Sequence, residues 1–481
     1  MNREFFLNIV FLVIINLLIK PIYIFGIDRN VQNLVGEASY GVYFSLMSFT
    51  ILFQILNDFG IQNFNSREIA QHPQLLDKYF SNIMALKALL GLFYFGLIFL
   101  SAYFLKYDKA VYPMLFSLAL NTLLLSLLSY LRTNVAGLGQ YRLNSLLTIL
   151  DRLLLIIICS VLLWMEPFKS FFNINWFIHA QNTTLFITVC VAFWATFRQV
   201  KTFTFRFNIP FWLSILRGAL PYALAIFLMS IYTRTDVVML ERMLPDGDRQ
   251  AGIYASAYRL LDAVNMLGFL FAGLLLPMFS RLLKEKATIT PLLRFSFQLI
   301  IVASVTLAAA VWFHRVDIMQ LLYKQATAYS GDVLGFLMLS FIAVSGVYIY
   351  STLLGANGDV SSMNWAFVLA FIINIGLNFW LIPNMKALGA AISTCVTQFF
   401  VLVCVIFLAK KRLILRGDWL WSFKIGGFVV GAFLINFLIK NNSNPTHWLV
   451  EIGVGMTVTL LLAFVLGFLN YKKVGQILHI E

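Results

Sequence analysis

The chain has 481 residues, of which 60% are hydrophobic and only 12% charged, with a mean hydropathy of +0.85. That composition excludes a soluble globule and defines a polytopic membrane protein. In so apolar a chain the net charge of +14 marks loop asymmetry and attraction to anionic lipid rather than nucleic-acid binding.

A bilayer core of ~30 Å requires roughly 20 apolar residues per helix, and about fourteen such stretches can be counted. Their centres fall near Ile14, Phe49, Leu92, Thr122, Ile157 and Ile187, then near Phe227, Met266, Thr306, Ile342, Ile373 and Val401, with a further pair near Val430 and Leu460. The intervening segments are short, which leaves little room for a soluble catalytic domain.

The first stretch is interrupted by Lys20-Pro21 and lacks a small-residue cleavage site, so it is expected to remain as a helix rather than to be removed as a signal peptide. Asn8, Asn16, Lys20 and Tyr23 share one helical stripe, which should face inward. Pro21 removes a backbone hydrogen bond and is expected to kink the helix there.

The second stretch carries a pattern that recurs at the eighth. Tyr40-Gly41-Val42-Tyr43 opens a helix ending in Ser66-Arg67, and Gly252-Ile253-Tyr254 opens one ending in Ser280-Arg281. Glycine-containing hinges follow each, at Gly137-Leu138-Gly139 and at Gly355-Ala356-Asn357-Gly358. Such duplication implies two halves of like architecture, a common plan for membrane transporters.

Asp58, Asp151, Arg152, Arg217, Arg294, Lys424 and Glu451 are read as lying near helix ends, where snorkelling or capping accounts for them. Lys87, toward the end of the third helix, is read either as snorkelling or as extending a basic path. The seventh helix brings Pro221-Tyr222, then Ser230, Thr233, Arg234 and Asp236; the eighth adds Tyr254, Tyr258, Asp262 and Asn265 on one face, with Arg259 beside it. Buried charges in lipid face protein or a watery cavity and usually pair. Two readings follow: internal ion pairs of Arg259 with Asp262 or Arg234 with Asp236, or a cationic cavity for an anionic substrate with Asp236 or Asp262 as the titrating or ion-binding carboxylate. Asn374 and Asn378 are expected to bond between helices.

Cys159, Cys190, Cys395 and Cys404 lie in apolar stretches without metal or redox spacing. The five histidines, His72, His179, His314, His447 and His479, are scattered among helix ends and loops, and no carboxylate or nucleophile constellation appears. No catalytic residue, metal site or organic cofactor is therefore expected.

Assigning alternate loops to the two faces places about 17 basic residues on the side of both termini and about 10 on the other, which predicts cytoplasmic termini.

The segment from Asp236 to Leu240, then Ala251-Gly252-Ile253-Tyr254-Ala255-Ser256-Ala257-Tyr258-Arg259 and Pro277-Met278-Phe279-Ser280-Arg281, resembles the central signature of Wzx-type polysaccharide flippases of the multidrug/oligosaccharidyl-lipid/polysaccharide exporter superfamily. The segment from Gly36 to Ala70 is similar to that family's amino-terminal pattern, and Gly389-Ala390-Ala391-Ile392-Ser393-Thr394 is similar to its element in the twelfth helix. The resemblance spans about residues 1–410 and implies an all-α fold of the MATE and MurJ kind. Two six-helix lobes, 1–205 and 206–410, would be followed by a C-terminal helix pair at 411–481.

The resemblance also implies alternating-access flipping of a polyprenyl-pyrophosphate-linked oligosaccharide (O-antigen, capsule or exopolysaccharide unit) from the cytoplasmic to the periplasmic leaflet of a bacterial inner membrane. Coupling to Na⁺ or H⁺ is implied, with a polysaccharide polymerase and a chain-length regulator as partners. The substrate-binding residues expected are Lys20, Tyr23, Arg234, Tyr258 and Arg259, with Asp236 and Asp262 as coupling carboxylates. A lipid II flippase or a drug/cation antiporter of the same superfamily is the alternative, and a polytopic oligosaccharide polymerase fits less well.

Overall fold

A computed structural model describes residues 18–62, 65, 69, 72, 74, 76–200, 208–414, 419–442 and 448–468. The described residues contain helices and no strands, and eleven of those helices are long and apolar enough to cross a membrane. The protein is thus an all-α, multi-pass membrane protein. The expected first centre, Ile14, lies outside the described residues, as do Asn8, Asn16, Ser66-Arg67, both chain ends, His447 and His479.

By contact the chain divides into two compact units: residues 1–242 with 246–252, and 243–245 with 253–481. The helix after residue 208 therefore packs with the first unit, and the division falls in the hairpin that follows it.

In the first unit, residues 18–21 are helical and Pro21 leads directly into a π-helical run, Ile22–Asp28. The missing proline N–H is absorbed there by widening the helix rather than breaking it. The chain continues as α1 (Arg29–Leu52), opened at Gly36 by a φ of 85°, and α2 (Gln54–Asp58). Then come α3 (Leu76–Phe104), α4 (Tyr112–Gly137), α5 (Tyr141–Trp164), α6 (Ile174–Phe197) and α7 (Ile209–Met243). Hydrogen bonds link them inside: Asn121 to Asn182 at 3.0 Å, Thr122 to Thr50 at 3.2 Å and Gln181 to the Tyr43 hydroxyl at 2.9 Å. Helix association in lipid lacks a hydrophobic drive, so such bonds and close packing carry it. The α7 start is anchored by Trp212, whose indole donates to the Asn82 carbonyl at 3.0 Å and whose ring joins the core with Phe80 and Tyr130.

The first turn of α8 (Gly247–Lys284) also belongs to the first unit. There the repeated glycines meet: a Cβ on Gly41 would strike the Asp248 carbonyl and the Gly252 nitrogen, and one on Gly252 would strike the Glu37 backbone. Gln32 donates to the Gly252 carbonyl at 3.1 Å, and Arg249 pairs with Glu37 at 3.2 Å. The end of α7 docks nearby, with Arg242 donating to the Leu105 carbonyl at 2.7 Å and the Tyr107 hydroxyl donating to Glu241 at 3.2 Å.

The second unit takes the rest of α8 with α9 (Thr290–Leu322), α10 (Ala328–Ala356), α11 (Val360–Leu413), α12 (Trp419–Asn442) and α13 (Trp448–Val465). Its centre is α10, 78% of whose apolar window is buried, against 17% for α12. The C-terminal pair α12 and α13 packs on α9, which departs from helical geometry at His314.

The 54 residues of α11 would make a rod of about 80 Å, far longer than a bilayer core. At Lys386 the backbone turns (φ 53°, ψ −130°), and Asn374 and Ser393 then hydrogen-bond at 3.3 Å, which an unbroken helix forbids for residues so far apart. Segments 360–385 and 387–413 therefore run back on each other. They accommodate the expected centres at Ile373 and Val401, and Asn374 bonds across the turn while also accepting from Asn378 at 3.2 Å.

Candidate functional site

The sequence-predicted residues fall in both units. In the first, Lys20 is half-buried one turn before Tyr23, which is almost fully buried. The Arg152 guanidinium lies 4.7 Å from the Tyr23 ring centroid, and Arg152 pairs with Asp151 at 3.5 Å. Expected at a helix end, Asp151 and Arg152 instead occupy the middle of α5. Arg152 thus lies over Tyr23 where α5 packs on the π-helical run, with Asp151 beside the guanidinium and Lys20 one helical turn away along the chain. Arginine over an aromatic face keeps its planar donors available for an anion. Asp28, one turn further, is buried and accepts from the Tyr40 hydroxyl at 2.7 Å.

On α7, Asp236 is fully buried and Arg234 half-buried. The side chains of Pro221 and Tyr222 lie outside the described residues.

In the second unit, Arg259 and Asp262 form the anticipated internal pair, at 3.9 Å, with side chains 12% and 29% exposed. Tyr258 stacks on Tyr254 at 5.6 Å, and the Tyr254 hydroxyl meets Thr394 at 3.1 Å. The tyrosines of the duplicated pattern therefore act alike: each set is buried and bonded within its own unit.

A buried pair also joins Lys87 to Asp58. Lys87 is only 4% exposed; its Nζ donates to Asp58 at 3.0 Å, to the Ser126 hydroxyl at 2.8 Å and to the Asn57 carbonyl at 3.3 Å. Lys87 does not snorkel, and Asp58 is no simple cap. The cause is the interruption around α2: Phe53 leaves helical geometry, and Phe59 and Gly60 take φ of 45° and 71°. Such a break frees carbonyls that must find donors in lipid, and Lys87 supplies one. Asp58 also lines a cleft of about 70 Å³ with Gln54, Gln62, Phe227 and Ser230. A lysine and an aspartate each near a predicted helix end gave no sign of this, because hydropathy does not report which way a side chain faces.

His314, expected at a helix end or in a loop, lies inside α9 and is 1% exposed; Glu451 sits in the first turn of α13, at a helix end as expected, but at 4% exposed it does not snorkel. Among the described residues no group of three or more His, Cys, Asp or Glu is placed to hold a metal ion.

The multi-pass bundle, with charges buried on interrupted helices, has the fold of the multidrug/oligosaccharidyl-lipid/polysaccharide exporter superfamily. The fold is similar to that of lipid II flippase MurJ in an inward closed conformation (TM-score 0.72, 14% identity, covering 95% of this chain and 98% of that one). It is also similar to an inward-facing multidrug resistance MATE family transporter (0.59, 16%, 81% and 94%) and to the Vibrio cholerae MATE transporter VcmN (0.56, 16%, 84% and 94%). Residues 7–283 match the family described as polysaccharide biosynthesis protein, and the chain belongs to that family. No curated protein matches the sequence significantly.

Proposed function

We propose that this protein moves a polyprenyl-pyrophosphate-linked oligosaccharide from the cytoplasmic to the periplasmic leaflet of a bacterial inner membrane by alternating access, driven by Na⁺ or H⁺. The observation that carries the reading is Arg152 over Tyr23, with Lys20 one helical turn away along the chain, in a member of the polysaccharide biosynthesis family. A pyrophosphate is recognised by Lys and Arg, and a sugar by amphipathic aromatic surfaces. Arg234, Tyr258 and Arg259 would extend that recognition, with Asp236 or Asp262 binding the coupling ion. Cytoplasmic termini follow from the excess of basic residues in the loops on that side. A polysaccharide polymerase and a chain-length regulator would act on the flipped product.

The test is the leaflet distribution of lipid-linked oligosaccharide in cells lacking the protein, read with a periplasmic glycan-labelling enzyme. Accumulation restricted to the cytoplasmic leaflet and reversed by re-expression supports the reading. Normal periplasmic labelling, in a strain without a second flippase, shifts the weight to a drug/cation antiporter, which the buried Asp28, Asp58 and Asp236 favour. If lipid II is the trapped species, the substrate is lipid II.

A further inference from the structure

The junction of α9 with the C-terminal helix pair holds ionisable side chains that the proposed transport site does not use. His314 Nε2 lies 3.7 Å from Glu451 Oε2 on α13, and His314 Nδ1 lies 3.6 Å from Asp317. Lys440 on α12 reaches Asp317 at 3.3 Å and Glu451 at 4.0 Å. The cluster is graded in depth. Asp317 and Lys440 are about one-third exposed, whereas His314 and Glu451 are 1% and 4% exposed.

Neither carboxylate oxygen of Glu451 accepts a hydrogen bond, and His314 Nδ1 makes none. A buried carboxylate without a donor is costly, so its oxygens are placed for something that arrives. Charge balance identifies it. With the imidazole neutral, one ammonium faces two carboxylates, and the buried cluster carries one uncompensated negative charge; a single added proton removes it. Among the described residues the surrounding helices add no further net charge to the cluster. On α9 and α10, Arg315 and Asp332 neutralise each other at 2.8 Å, and on α12 and α13 the nearby Asn436 and Thr459 are bonded to each other at 3.3 Å.

We propose that His314 and Glu451 form a proton-binding site that takes one proton from water through the Asp317 and Lys440 mouth. Lys440 is two residues from the end of α12 and Glu451 three from the start of α13, so the path to the membrane face is short. The proton resides on Glu451 Oε2 and is donated to the Nε2 lone pair of the neutral His314 imidazole, closing their gap to hydrogen-bond length. As a source of coupling the site rests on the ion-driven transport reading; as a proton site it stands without it.

The test is infrared difference spectroscopy of the full-length protein in liposomes, stepped between acidic and neutral buffer with no sugar lipid present. A protonated-carboxyl C=O band that forms on acidification, disappears in Glu451→Gln and persists in Asp332→Asn is the expected result. The same band in wild type and Glu451→Gln overturns the proposal, as does a carboxyl signal that follows sodium concentration at fixed pH. Should Glu451→Gln fail to fold, Glu451→Asp and His314→Asn serve instead: each must move the midpoint of the band, and unmoved midpoints overturn the assignment. Because the assay contains no transported lipid, a negative result leaves the flipping reading standing, and a failed flipping assay leaves the proton site standing.

Discussion

Gly41 and Gly252 cross with no room between them for a methyl group. They are the same glycine of the duplicated pattern, one from each copy, so the repeat visible in the sequence is also the place where its two copies touch. The contact is backbone on backbone, tightened by Gln32 and by the Arg249–Glu37 pair.

Replacing either glycine with leucine should therefore push the first turn of α8 off α1. A loss of about 1–3 kcal/mol is expected from overpacking, seen as a lower thermal midpoint in detergent. The double variant should lose less than the sum of the two, because one displacement relieves both clashes. Gly426→Leu, where a side chain meets open space, should leave the midpoint nearly unchanged.

Removing Lys87 alone leaves Asp58 buried beside a broken helix. Lys87→Met is expected to cost on the order of 3–5 kcal/mol, the penalty of an uncompensated buried charge. Combining it with Asp58→Asn should recover most of that loss. Folded yield and unfolding midpoint of the two single variants and the double variant decide the matter; a double variant no better than Lys87→Met would show that the pair is not the source.

Transport should depend on the cations more than stability does. Lys20→Ala and Arg259→Ala are expected to stop translocation while membrane insertion is retained. Arg152→Lys should also lose most activity despite keeping its charge, because lysine lacks the planar donors that arginine holds over Tyr23. Measured leaflet exchange set against surface-labelled insertion separates these outcomes, and full exchange in all three variants would remove the site.

In the C-terminal pair, Asn436 donates to Thr459 at 3.3 Å. Asn436→Leu should cost only about 0.6 kcal/mol, the usual worth of such a bond in a membrane bundle. Gly455→Leu should cost more, since its Cβ would run into the Asn436 side chain. Unfolding of the two variants under identical detergent conditions gives the comparison.

The helical class, the duplication and the disturbance at Pro21 were legible because each is local: composition, a repeated string and a missing N–H. The Arg259–Asp262 pair was legible for the same reason, lying at a helical spacing of three. Lys87 with Asp58, and His314 with Glu451, were not. Each pair joins separate helices distant in sequence, and one partner of each sits near a helix end where an exposed role was the simpler reading. Arg152 over Tyr23 was hidden likewise, since the packing of α5 on the first helix is not written in either strand of sequence alone.

The turn at Lys386 bears on how the topology of this protein would be mapped. Segments 360–385 and 387–413 reverse direction at a single residue, so that only the short exposed stretch 383–386 marks the turn. A count of crossings by helix length would score α11 as one and would then place α12 and α13 on the wrong faces of the membrane, whereas a single label at 383–386 corrects the count.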